Sequence, residues 1–89
     1  MESTKRQIRF NADENTFITV VFPDKTKFGG LCIDESYNGC SGVFVKNSFF
    51  KKDLDCHLKV GKLHLIVSKI RWIKDVDKDL IRVGFEFEE

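Results

Sequence analysis

Short β-prone segments separated by turn-forming residues follow one another along this chain and limit the folds that it can adopt. The segment 16–22 is built of β-branched and aromatic residues, and it stops at the turn pair Pro23–Asp24. Turn signals recur at intervals of about ten residues, and no stretch of helical periodicity is long enough for a core helix. This pattern predicts an all-β fold with about five or six antiparallel strands in a sandwich or barrel.

The second half of the chain predicts two long strands joined by a hairpin. The segment 63–73 is too rich in β-branched residues for a surface helix, so we expect a bent strand there. Residues 75–79 form a charged turn, and apolar residues alternate along the segment 81–87. Because strand side chains alternate between faces, this apolar set lies on the buried face of the final strand. The set consists of Ile81, Val83, Phe85 and Phe87.

Two segments of the first half leave alternatives open. Gly29–Gly30 interrupts an apolar stretch, and paired glycines are typical of either a β-bulge or a bend within a strand. Residues 48–56 mix Phe49 and Phe50 with charged residues, which indicates either one helical turn or a crossing loop. The two phenylalanines belong either to the core or to an exposed patch that makes a dimer contact.

The first ten residues differ in character from the rest of the chain. They carry Lys5, Arg6 and Arg9 but show neither a helical nor a strand period. We therefore expect a flexible basic N-terminal arm over 1–10 and a single β-barrel domain over 11–89. A chain of 89 residues suits one compact domain, which excludes a two-lobed enzyme.

Charge and cysteine content limit the classes of function. Fifteen Lys and Arg residues against fourteen Asp and Glu residues give a net charge of +1, so no overall field attracts the chain to duplex DNA or an anionic membrane. The polar N-terminus and the lack of an apolar run of about 18 residues predict a cytoplasmic location. The odd number of cysteines, Cys32, Cys40 and Cys56, predicts reduced thiols that fill the core.

Neither a metal site nor a catalytic site is predicted. The cysteines and the two histidines, His57 and His64, lack the C-x-x-C or H-x-x-x-H spacing of zinc sites. No Ser-His-Asp order or pair of carboxylates in a cleft points to catalysis. We therefore expect a binding domain without a metal or cofactor, and not an enzyme.

The residues with the clearest potential for binding lie between Asp34 and Gly39. They form the pattern D-x-S-x-x-G directly after an apolar strand, with Ser36 at its centre. Taken alone, this pattern suits an Asx-type turn as well as a binding site. The dipeptide Asn38–Gly39 predicts a left-handed turn within it, because glycine adopts positive φ at no steric cost.

The motif and the segments that follow it resemble the PilZ domain family. Three downstream segments are similar to the family's pattern in order and spacing, over nearly the whole chain. They are Leu58-Lys59-Val60-Gly61, Ile70-Arg71-Trp72 and Val83-Gly84-Phe85-Glu86-Phe87. The resemblance implies a small six-stranded antiparallel β-barrel with little helix, and it implies the ligand cyclic di-GMP.

In the PilZ family the D-x-S-x-x-G hairpin forms one part of the ligand site. The resemblance implies that Asp34 accepts hydrogen bonds from the donor edge of guanine. It further implies that Ser36 reaches a phosphate or base edge, and that the backbone at Asn38 and Gly39 approaches the ligand. Glu35 stands where the family usually has an apolar residue, and it adds negative charge beside the site.

The other part of the family's site is an upstream R-x-x-x-R motif, which this chain matches imperfectly. At that spacing Arg9 is preceded by Lys5, and Arg6 is followed by Phe10. Arginine binds phosphate through a planar fork, whereas lysine supplies a point charge. The residues predicted to bind cyclic di-GMP are Lys5, Arg6, Arg9, Asp34, Ser36, Asn38 and Gly39.

The resemblance predicts a bacterial signalling domain in which the second messenger changes the conformation of the arm and a protein partner recognises the change. The domain is expected to be a monomer or a homodimer. One alternative is a degenerate PilZ-like module that binds a protein without the nucleotide, and another is a barrel that binds single-stranded nucleic acid. Trp72 is expected in the core with Arg71 outward, because neighbours in a strand point to opposite faces.

Overall fold

The computed structural model of the chain describes residues 17–61 and 65–88, which form a closed antiparallel barrel of six strands. The predicted basic arm over 1–10, with Lys5, Arg6 and Arg9, lies outside the described residues. The strands are β1 (Phe17–Val21), β2 (Lys27–Glu35), β3 (Gly39–Val45), β4 (Asp55–Val60), β5 (Ile66–Asp75) and β6 (Leu80–Phe87).

The strands are arranged around the barrel in the order β1-β2-β3-β6-β5-β4, and every neighbouring pair is antiparallel. Sequential strands are neighbours joined by hairpins, except that the connection from β3 to β4 crosses the end of the barrel. The pairing of β1 with β4 closes the barrel. No helix occurs within the described ranges. The predicted six-stranded antiparallel barrel is therefore confirmed.

The barrel encloses one hydrophobic core made by the inward side of each strand. Ile18 and Val20 on β1 are fully buried, as are Leu58 on β4 and Ile70 on β5. Along β6 the predicted alternation is observed, since Ile81, Val83 and Phe85 are buried and Phe87 packs against the core. Burial of such side chains contributes about 1.5–3 kcal/mol each, so the inward residues are the main source of stability.

Aromatic rings close one end of the barrel. Phe50 lies within 4.8 Å of Phe44 and 5.5 Å of Phe22, measured between ring centroids. Phe49 is half-exposed at the edge of this cluster, and it contacts Phe22 and Phe28 edge-on. The connection 46–54 that carries these rings is a loop, which decides between the two alternatives for residues 48–56. The core therefore includes Phe50 but only part of Phe49.

The paired glycines of β2 do not form a bulge or a bend, which corrects that expectation. Gly29 and Gly30 pair regularly with Thr19 and Ile18 of β1. Gly30 faces inward, where an added Cβ atom would contact the carbonyl of Val43 and lie 2.7 Å from the Phe44 ring. Glycine is thus required at position 30 for space inside the barrel, while an added Cβ atom at Gly29 would meet nothing within 4 Å.

Two β-bulges occur where regular alternation was expected. The register shifts between Cys32 and Asp34 in β2, and between Ile70 and Trp72 in β5. Arg71 is the extra residue of the second bulge, so Arg71 and Trp72 both lie on the outer side of the barrel. The prediction of a core Trp72 is wrong, because a bulged residue interrupts the alternation of faces.

Candidate functional site

The D-x-S-x-x-G segment forms the hairpin between β2 and β3. The backbone N–H of Ser36 donates to the carbonyl of Gly39 at 2.7 Å, and the Ser36 hydroxyl donates to the same oxygen at 3.3 Å. On the side of β6, the N–H of Phe87 donates to the carbonyl of Asn38 at 2.8 Å. The hairpin tip is therefore held by hydrogen bonds within the hairpin and by one hydrogen bond to β6.

Gly39 is required for space and not for an unusual backbone angle. Within 17–61 and 65–88, positive φ occurs only at Lys25, Asp53 and Gly61. The left-handed turn predicted at Asn38–Gly39 is therefore wrong. An added Cβ atom at Gly39 would run into the carbonyl of Phe85 on β6, so the close approach of β3 to β6 explains the glycine.

Asp34 is held on the outer face of the barrel by an arginine from β6. Its Oδ2 atom accepts from Nη2 of Arg82 at 2.9 Å, and the Asp34 side chain is 64% exposed. The Nε and Nη2 atoms of Arg82 also donate to the Ser41 hydroxyl, at 3.4 and 3.2 Å. Ser41 is only 2% exposed, and thus provides a fixed anchor for the guanidinium. Asp34 is oriented while much of its carboxylate stays open to solvent.

Trp72 lies flat over the outer face of β6. It is paired with Gly84 across β5 and β6, and an added Cβ atom at Gly84 would lie 2.6 Å from Cζ2 of the indole. Arg82 and Lys74 approach the ring, with Cζ at 5.8 Å and Nζ at 5.5 Å from its centroid. The side chain is 37% exposed, so an aromatic surface bordered by cations faces solvent.

Arg71 lies beside the same surface. Its Nε atom pairs with Oε1 of Glu86 at 3.0 Å, and its Nη1 atom lies 3.6 Å from Oδ1 of Asp53. All three side chains are about half-exposed and exposed ion pairs of this kind are weak. Arg71 is therefore free to exchange a carboxylate for another anion.

These groups line one shallow, open cleft of about 280 Å³ on the outside of the barrel. Small-molecule sites usually measure about 300–1,000 Å³, so the cleft would cover only part of a large ligand. It is lined by Asp34, Ser36, Asn38, Gly39, Cys40, Ser41, Arg71, Trp72, Phe85 and Glu86.

The cleft brings together the predicted site residues Asp34, Ser36, Asn38 and Gly39. Lys5, Arg6 and Arg9 lie outside the described residues, so their relation to the cleft stays a prediction. Several residues that line the cleft were not predicted as site residues, among them Ser41, Arg71, Trp72 and Glu86. Nor was Arg82, which contacts the cleft residues Asp34 and Ser41. The alternation of β6 already indicates that Arg82, Gly84 and Glu86 share its outer face, but the bulge that turns Trp72 outward has no signal in the sequence.

Burial affects the ionisation of side chains next to the hairpin. Partial burial raises the pKa of the Glu35 carboxyl above its ordinary value. The hydrogen bond to Cys32, together with burial, raises the pKa of the Cys40 thiol far above its ordinary value. On β4, burial raises the pKa of Cys56 to about 12. The thiols of Cys40 and Cys56 are thus neutral at ordinary pH and act as apolar filling of the core.

The described ranges offer no metal site by their side chains. They contain no cluster of three or more His, Cys, Asp or Glu side chains arranged to hold a metal ion. Within the same ranges, no helix has the length and apolar character to cross a membrane.

Comparison with known proteins gives one structural relative. No protein-family model and no curated protein sequence matches the chain. Among solved structures, the chain is similar to the PilZ domain with c-di-GMP of YcgR from Escherichia coli, at 15% sequence identity. The similarity covers 93% of this chain and 78% of that chain, with a TM-score of 0.68. The fold of this chain is therefore that of a PilZ domain, which confirms the fold that the sequence resemblance implied.

Proposed function

We propose that this chain is a receptor domain for cyclic di-GMP, without enzymatic activity, which acts in the cytoplasm of a bacterium. One observation carries the proposal. On a PilZ-like barrel, the exposed carboxylate of Asp34 and the exposed ring of Trp72 line the same cleft as the hairpin residues Ser36 and Gly39. The structural relative, which has the same fold, is described with this dinucleotide.

Asp34 is suited to recognise guanine. The base presents two adjacent N–H donors on its Watson–Crick edge, and a carboxylate is a strong acceptor for such donors. Because Arg82 contacts only Oδ2 of Asp34, Oδ1 stays available for the base. In this proposal Asp34 selects guanine over adenine, whose corresponding edge has an acceptor in place of one donor.

Trp72 supplies a surface on which a guanine can stack. One side of the indole rests on Gly84, which leaves the other side toward solvent. Stacking of a base on an aromatic side chain contributes about 1–3 kcal/mol. The proximity of Arg82 and Lys74 to the ring places positive charge next to the bound base, where the phosphates of the dinucleotide would lie.

The hairpin and the arm complete the proposed site. Ser36 would exchange its hydrogen bond to the Gly39 carbonyl for one to the ligand, and the backbone at Asn38 would approach it closely. Lys5, Arg6 and Arg9 would add positive charge from the arm. Binding would order the arm over the ligand, and a protein partner would recognise the new surface.

The test is isothermal titration of the full chain with cyclic di-GMP. We expect binding by the wild type and a loss of at least about tenfold in affinity for Asp34→Ala, since a charge-assisted hydrogen bond contributes about 1.5–3 kcal/mol. Asp75→Ala is the matched control, because Asp75 is an exposed, ion-paired carboxylate at the far end of β5. No heat from the wild type up to about 1 mM ligand would reject the proposal.

A second candidate is an interaction module that binds a protein partner without the nucleotide. It is favoured by the charge balance of the cleft, where Arg82 is paired with Asp34, and Arg71 with Glu86 and Asp53. This balance lowers the attraction of the described cleft for a dianion. A pull-down that recovers the same partner in equal amount with and without cyclic di-GMP would support this candidate.

A further inference from the structure

Two arginines of the barrel border the aromatic surface of Trp72 on opposite sides. Arg82 contacts the indole from one side along β6, and Arg71 pairs with Glu86 on the other side. Gly84, beneath the indole, lies midway between Arg82 and Glu86 on the same strand. At about 3.3 Å per residue, the backbone positions of Arg82 and Glu86 are about 13 Å apart, so the two guanidinium groups reach the cleft from separate positions along β6.

The arm of this chain does not carry two arginines at the spacing of the R-x-x-x-R motif. At that spacing Lys5 pairs with Arg9, and Arg6 pairs with Phe10. Lysine binds phosphate as a point charge and lacks the planar fork that makes two parallel hydrogen bonds. Guanidinium groups on the barrel, near the cleft, would compensate for the missing arginine pair of the arm.

On the premise that the chain binds cyclic di-GMP, we propose that Arg71 and Arg82 bind its phosphates in place of an arginine pair on the arm. Both side chains are accessible, at 49% and 38% exposure. Their present partners are exposed carboxylates, and such pairs are weak enough to be replaced by a phosphate. Each guanidinium has five N–H donors. Arg82 is therefore able to keep its hydrogen bonds to the Ser41 hydroxyl while its other N–H groups donate to the ligand.

Arg82 has a second role in this arrangement, as a positioning residue for Asp34. Without it, the unpaired carboxylate of Asp34 would lie next to the phosphates and repel them. The contact of Arg82 with Asp34 at 2.9 Å offsets this charge and keeps the Asp34 carboxylate directed along the cleft. Loss of Arg82 therefore harms both phosphate binding and guanine recognition, whereas loss of Arg71 harms phosphate binding alone.

The experiment compares barrel and arm variants of the full chain by titration with cyclic di-GMP. We expect Arg71→Ala and Arg82→Ala each to weaken binding by at least about tenfold, as for the loss of a charge-assisted hydrogen bond. The triple variant Lys5→Ala, Arg6→Ala and Arg9→Ala is expected to lose about threefold or less, as for the loss of exposed charge that salt screens. Lys59→Ala, on the outer face of β4, is the control for removing one positive charge elsewhere.

A second measurement separates phosphate contact from a general structural role. At saturating ligand, the 31P resonances of bound cyclic di-GMP should shift between the wild type and Arg71→Ala or Arg82→Ala, and stay unchanged in the arm variant. Arg71→Lys and Arg82→Lys keep the charge but not the fork, so we expect intermediate affinity from both.

The two proposals fail in different ways. If the arm variant loses more than about tenfold while both barrel variants match Lys59→Ala, the chain still binds the nucleotide and our assignment of Arg71 and Arg82 is wrong. If the wild type gives no heat and no bound 31P signal, the proposed function is wrong. The assignment of Arg71 and Arg82 as phosphate-binding residues is then wrong as well.

Discussion

The indole of Trp72 occupies the space in which a side chain on Gly84 would lie. The two residues are paired across β5 and β6, and an added Cβ atom at Gly84 would overlap the indole, with Nε1, Cε2 and Cζ2 as the nearest atoms. The missing side chain thus allows a large aromatic ring to lie flat on the outside of a barrel strand. Gly84 and Trp72 together produce the aromatic surface of the cleft.

Substitution of Gly84 by Ala should displace Trp72 from the barrel. We expect a red-shifted emission maximum and stronger quenching by acrylamide, because the indole becomes more exposed, and the signal is unambiguous since the chain has one Trp. Gly29→Ala is the matched control, because its added Cβ atom meets nothing within 4 Å. Emission spectra that are the same for Gly84→Ala and the wild type would contradict the packing described here.

Adjacent glycines of β2 should differ sharply in their tolerance of a side chain. Gly30→Ala places a methyl group against the Phe44 ring and the Val43 carbonyl, and overpacking of this kind costs about 1–3 kcal/mol. Gly29→Ala has no such contact and should match or slightly exceed the stability of the wild type, since alanine is the less flexible residue. Urea unfolding of both variants measures the difference, and equal midpoints would show that Gly30 does not face a packed core.

Glu35 should make the stability of the protein depend on pH. Burial raises the pKa of this carboxyl in the folded state above its ordinary value of 4.5, so the folded protein binds a proton more tightly than the unfolded chain. Stability from this group is present below that value and is lost as the pH rises through the folded pKa. We therefore expect Glu35→Gln to stabilise the protein at pH 7 relative to the wild type, and to do so less at pH 4.

The measurement for Glu35 is the free energy of unfolding in urea at both pH values. Glu35→Asp is a useful companion, because it keeps the charge and should keep the pH dependence. A difference between wild type and Glu35→Gln that is the same at pH 4 and pH 7 would show that ionisation of Glu35 is not coupled to folding.

The cysteines should be unreactive in the folded protein. Cys32, Cys40 and Cys56 are buried free thiols, and burial raises the pKa of Cys56 to about 12. The thiolate is the reactive species. The hydrogen bond with Cys40 lowers the pKa of Cys32, so Cys32 is protected by its burial alone. A thiol reagent such as Ellman's at pH 8 should therefore titrate less than one thiol rapidly in the native protein. All three cysteines of the chain should react in denaturant. Rapid reaction without denaturant would contradict the packing of these side chains.

Much of the fold is predictable because strand signals are local. The β-branched segment that became β1, the turn at Pro23–Asp24 and the alternation of Ile81, Val83 and Phe85 each depend on residues close in sequence. The hairpin at 75–79 is likewise determined within itself, since Oδ1 of Asp77 accepts from the N–H groups of Asp79 and Leu80. β4 was not predicted as a strand, because its charged outer residues weaken the apolar signal of Cys56 and Leu58.

Turn chemistry and side-chain alternation are properties of neighbouring residues, so they were enough to predict an all-β fold with the motif Asp34–Gly39 between two strands. The choice of a barrel over a sandwich rested on the family resemblance. Tertiary structure alone decided what surrounds that motif. The outward turn of Trp72 depends on a register shift between β5 and β6, and the contact of Asp34 with Arg82 joins residues 48 positions apart. Such contacts follow from how strands align in the closed barrel, and no local pattern specifies that alignment.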